Sequence, residues 1–117
     1  MRGKLDAKFI FTCSDKVISG IAFKENEGIV ASFKLQKVSD AHIEGGKTSI
    51  LILKIVFNDL GREIYDAFHR IFLEESQCYS KQMVITDRYA EFHLQLNDKE
   101  LEKIMEKVKS LLGHNLP

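Results

Sequence analysis

Proline is almost missing from this chain, with one in 117 residues, and glycine is sparse at seven. Collagen-like, low-complexity and linker-rich architectures need far more of both, so what remains is an ordered globular protein. No internal repeat and no Pro-, Gly- or Ser-rich segment divides the sequence, which predicts one domain over residues 1–117. A chain of that size buries ~65% of the surface its unfolded form exposes, and a second independent core does not fit. Cysteine is scarce too: Cys13 and Cys78 are too few for a disulfide framework, and neither has a Cys or His neighbour at zinc-finger spacing. Reduced thiols in a cytoplasmic protein are the expectation.

Net charge is also absent, because 17 basic residues balance 17 acidic ones. A nucleic-acid binder usually presents a basic excess to phosphate, so that class loses its electrostatic argument. The balance is uneven along the chain, with nine basic against six acidic residues in 1–58 and eight against eleven in 59–117. Such an asymmetry favours head-to-tail contacts or a basic partner for the second half. Long apolar runs are lacking as well. The longest, Ser49–Phe57, is interrupted by Lys54 and falls far short of the ~18 residues of a membrane span. The charged N-terminus has no apolar stretch behind it, so no signal peptide is expected.

That same run is the most apolar and β-branched part of the sequence. Leu51, Leu53, Ile55 and Phe57 make one wholly apolar face, and Ile50, Ile52 and Val56 make the other nearly so. A strand of this kind is expected in the middle of a sheet, covered above and below. Before it, strands are predicted at Lys8–Cys13, Val17–Lys24 and Ile29–Gln36, the last with Ile29, Ala31, Phe33 and Leu35 inward. Gly28 suits a positive φ in the charged Glu25–Gly28 loop. Gly20 and Ala22 leave one side of their strand thin enough for a helix or a backbone to approach. A kink near Val38-Ser39 and a Gly45-Gly46 hairpin turn lead into the central strand.

Beyond Asn58 or Asp59, either of which can cap a helix, Leu60, Ile64, Ala67, Phe68, Ile71 and Phe72 recur at helical spacing to about Glu75. A second hairpin is expected from Gln82–Thr86 and Tyr89–Leu96, with Ala90, Phe92, Leu94 and Leu96 inward. Asn97 or Asp98 then caps a final helix striped by Leu101, Ile104, Met105, Val108, Leu111 and Leu112, with Gly113 placed for a left-handed C-cap. The fold class predicted is α+β: a twisted antiparallel sheet built from a meander of four to five strands, a helix, a hairpin and a C-terminal helix, with the helices on one face. This order resembles that of type III secretion chaperones without their leading helix. Strands closed by a C-terminal helix also resemble pleckstrin-homology-like barrels, although a helix before the last hairpin is foreign to those. Both are likenesses of topology that no sequence motif carries, and no family is assigned on them.

Motifs for chemistry are thin. Ala41–Thr48 fits a relaxed phosphate-loop pattern, but Lys47-Thr48 opens a strand where phosphate binding needs a helix N-terminus. Asp66 and His69, one turn apart, amount to half a metal site, and Cys13 and Cys78 have no local base to activate them. No catalytic residue, cofactor or metal is therefore assigned, and the balance is against an enzyme. The middle helix offers more: it is apolar over an arc too wide for one sheet, and its polar side is acidic. These features predict a non-catalytic protein-binding module, an adaptor, inhibitor or chaperone-like protein, homodimeric through Glu63, Tyr65, Asp66, Phe68 and Phe72. The alternative is a small-ligand or enzymatic pocket between sheet and helix, at which His42, His93 and Cys13 would converge.

Overall fold

A computed structural model describes residues 5–43, 46–75 and 82–117, with the backbone alone for 39–43, 46–48, 75 and 82–85. The strands are β1 (Lys8–Cys13), β2 (Val17–Lys24), β3 (Gly28–Ile43), β4 (Gly46–Phe57), β5 (Gln82–Ile85) and β6 (Tyr89–Asn97). A single 3-10 turn, Asp59–Gly61, leads into helix α1 (Arg62–Glu75), and helix α2 (Asp98–His114) follows β6. All six strands form one antiparallel sheet in the order β1-β2-β3-β4-β6-β5. The α+β class, the meander and the late hairpin are as the sequence predicts. The hairpin folds back so that β6 pairs with β4, and this makes β4 an interior strand.

Both helices lie on one face of that sheet. Leu51, Leu53, Ile55 and Phe57 of β4 are buried there together with Ile64, Phe68 and Phe72 of α1 and Ile104, Val108 and Leu112 of α2. The expectation that β4 is covered above and below is corrected. Lys54 and Val56 are exposed, and Ile50 and Ile52 are only half-buried. The reason is geometric: six strands at ~4.8 Å span nearly 30 Å, and two helices, each ~10 Å across, suffice for one side only.

Strand irregularities account for two further differences. A register shift beside Ala22/Phe23 brings Val30 and Ala31 both into the core and turns Ile29, expected inward, out to solvent. The kink expected near Val38 is a bulge between Lys37 and Ser39 within one long strand. Of the predicted Gly45-Gly46 turn, Gly45 lies outside the described residues and Gly46 opens β4.

The ends of the helices are held by named side chains. Asn58 accepts the Leu60 and Gly61 N–H groups, each at 3.0 Å. Asn97 and Glu100 satisfy each other's backbone N–H in a capping box. At the other end of α2 the helix runs through Gly113, which does not take the left-handed cap expected of it, and stops at Asn115. Asn115 is fully buried. Its carbonyl accepts the Phe9 N–H at 2.8 Å, its Oδ1 accepts the Leu5 N–H at 2.8 Å, and its Nδ2 donates to the Leu111 carbonyl at 2.9 Å. One residue thus ties the C-terminal segment to β1 through its backbone carbonyl and to the segment before β1 through its side chain, and these bonds across the sequence replace the glycine cap.

Candidate functional site: the helix-free face of the sheet

Alternation sends successive side chains of a strand to opposite faces, and residues directly across an antiparallel ladder share a face. Since Leu51, Leu53, Ile55 and Phe57 of β4 meet the helices, the residues alternating with them from Ile50 to Val56, with their cross-strand partners, make up the far side. Register places Ile10, Ile21, Ser32, Val56 and Tyr89 in one row across five strands. Lys8, Phe23 and Ile29 stand on one side of this row. On its other side runs a polar row of Thr12, Ser19, Lys34, Lys54 and Glu91. Beyond that come Val17, Gln36, Ile52 and His93.

Three of the apolar residues are strongly exposed: Ile10 at 56%, Ile29 at 60% and Val56 at 51%. Ile29 and Val56 also border a shallow hollow of about 260 Å³ with Ser32 and Arg88. A branched side chain in the open gains little from folding, so Ile10, Ile29 and Val56 leave apolar area on this face that the fold does not use.

At the β6 end of the face the polar groups are organised. Tyr89, Glu91 and His93 alternate on one strand and therefore stand side by side. The Tyr89 hydroxyl donates to one oxygen of Glu91, and the His93 Nε2 contacts the other. Lys54 lies directly across the ladder. The Tyr89 hydrogen bond, followed by that of His93, holds the Glu91 carboxyl below its ordinary value, and Lys54 adds to this. The same bond raises the Tyr89 phenol, because ionisation would lose a hydrogen bond to an anion. The arrangement fixes three polar side chains in place. Among the described residues, no group of three or more His, Cys, Asp or Glu side chains is placed to hold a metal.

The residues singled out on the middle helix lie elsewhere. Phe68 and Phe72 are core residues, and Tyr65 is buried, stacked on Phe57 at 5.0 Å and on His69 at 5.5 Å. Burial is also what raises the Tyr65 phenol. The wide apolar arc is thus taken up by the chain's own sheet, and these three aromatics offer no surface to a partner. Glu63 and Asp66 remain at the surface, each in an ion pair, with Lys24 at 3.2 Å and with Arg62 at 3.5 Å.

The three groups of the pocket alternative are not brought together where they can be followed. Cys13 ends β1 in register with Ile18 of the core face, while His93 is on the open face of β6, four strands and ~19 Å away. The side chain of His42 lies outside the described ones, as does Cys78 altogether. Lys47 and Thr48 are strand residues paired with His42 and Ala41, so no helix follows the phosphate-loop-like stretch. The sequence places the helices on one face and so implies an open one, but its reading looks for the binding surface on the middle helix and not on that open face. The signal was present in the count of helices, which are too few to cover two sides.

Neither a family model, nor a curated protein, nor a solved structure matches this chain.

Proposed function

We propose that this chain is a non-catalytic protein-binding module that self-associates through the helix-free face of its sheet, in the cytosol. The observation that carries the reading is the apolar surface of Ile10, Ile29 and Val56, exposed on a sheet whose other side is a filled core. The setting is suggested by the free, exposed thiol of Cys13 in a chain with only two cysteines.

A second copy is the occupant proposed, for two reasons. Five strands at ~4.8 Å and about eight residues in length present roughly 600 Å² in plan, close to the ~800 Å² that each partner buries in a standard interface. The face also carries both signs of charge, Lys34 and Lys54 beside Glu91, which lets one surface meet its own copy about a two-fold axis. Sedimentation equilibrium tests this. Wild-type protein is expected at twice the chain mass, and Val56→Lys or Ile10→Lys at the single mass with an unchanged circular dichroism spectrum. A monomeric wild type, or a dimer indifferent to both substitutions, overturns the reading.

A further inference from the structure

The helical layer holds a second surface feature. Ala67, Arg70, Ile71 and Glu74 of α1 recur at i, i+3, i+4 and i+7, and Lys107, Ser110, Leu111 and His114 of α2 have the same spacing. Where the two stripes face each other they leave a groove of about 350 Å³. This lies within the ~300–1,000 Å³ of small-molecule sites, at the lower end. Its apolar lining comes from Ala67, Ile71 and Leu111, with Leu5.

The charges along it do not balance. Glu74 and Lys107 pair at 3.1 Å and neutralise each other. Arg70 lines the same groove, and Asp66, one turn before it, pairs with Arg62 instead. Among the described residues no carboxylate lies within ion-pair distance of Arg70. An unmatched guanidinium beside an apolar surface, with the Ser110 hydroxyl and the His114 ring (3.5 Å apart) also lining the groove, is complementary to an anion with an apolar body.

We propose that the α1/α2 groove binds a small amphipathic carboxylate, with its head group on Arg70 and its hydrocarbon on Ala67, Ile71 and Leu111. The site is independent of the sheet face and stands whether or not the chain self-associates. Titration of the 15N-labelled protein with sodium octanoate, followed by two-dimensional NMR, tests it, with 1-octanol and sodium phosphate as the tail-only and head-only arms. Octanoate is expected to shift the Ala67, Ile71, Ser110 and Leu111 amides saturably, with octanol about ten-fold weaker and phosphate not saturating. Arg70→Ala is expected to weaken octanoate about ten-fold and leave octanol unchanged, with Arg70→Lys in between. The proposal is overturned by the absence of a saturable shift, by octanol or phosphate matching octanoate, or by Arg70→Ala binding octanoate as wild type does. Shifts confined to the sheet face would overturn it as well.

Discussion

The two faces of β4 are nearly alike in composition and opposite in environment. Leu51, Leu53, Ile55 and Phe57 lie under the helices with almost no exposure, whereas of the residues interleaved with them Lys54 and Val56 are exposed and Ile50 and Ile52 half-buried, with no helix among the described residues over them. Burying a Leu or Ile side chain is worth roughly 1.5–3 kcal/mol, so the first set holds the domain together while the second contributes far less to a lone chain. Apolarity in a strand therefore reports that it is interior to a sheet. Whether both its sides are covered depends on how many other elements exist to cover them.

Substitution on alternate positions of β4 would break this comparison most directly. Leu53→Ala removes a fully buried side chain and should cost about 2–5 kcal/mol, whereas Ile52→Ala, one residue away, should cost under about 1 kcal/mol in dilute solution. Urea denaturation of the two variants measures both. Equal losses would mean that the two faces are equally covered. A loss at Ile52 that grows with protein concentration would instead show that face taking part in association.

The sequence carries most of the fold and little of the site, for a physical reason. Strand alternation and helical stripes are local, so β1, β2, β6 and α2 can be placed from periodicity, and the inward set Ala90, Phe92, Leu94 and Leu96 is as buried as its spacing predicts. Ile29 defeats such a reading because a bulge opposite β2 shifts the alternation by one, and bulges depend on the partner strand. The aromatics of α1 defeat it differently. Tyr65 finds Phe57 and Phe92 across space, a contact no window of helical sequence contains, so an arc that looks too wide for one sheet is filled. Arg70 follows the same logic, since Asp66 could pair forward or back along α1 and sequence alone does not choose.

Glycine sharpens the contrast between enclosed and open positions at a smaller scale. A Cβ on Gly61 would stand 2.1 Å from the Val30 carbonyl oxygen, a backbone atom of the covered layer, so the turn into α1 tolerates no side chain. Gly113 sits in the last turn of α2 with nothing within 4 Å of such a Cβ. Gly61→Ala should destabilise by about 1–3 kcal/mol, and Gly113→Ala should stabilise by up to about 1 kcal/mol through helix propensity. Thermal denaturation of both variants decides the pair. A neutral Gly61→Ala would mean that the approach of β3 to this turn is looser than its geometry.

The smallest effect expected is on the open face, at the Tyr89–Glu91–His93 line. The fold holds the Glu91 carboxyl below its ordinary value, chiefly through the hydrogen bond from Tyr89, so its carboxylate form is the one the native state favours. Its contribution is present above the ordinary carboxyl value of 4.5 and is lost as pH falls through the lower, folded value. Glu91→Gln should therefore be less stable than wild type near neutrality, by under about 1 kcal/mol for so open a setting, and the two should converge in acid. The Tyr89 phenol supplies an independent readout. It is raised above 10.0 chiefly by its bond to Glu91, so its contribution is present below 10.0 and fades as pH rises through the folded value. In Glu91→Gln its ultraviolet titration should move back towards 10.0. If the titration does not move while stability changes, Glu91 acts through Lys54 across the ladder, and the polar line is an ion pair between β4 and β6 with the tyrosine beside it.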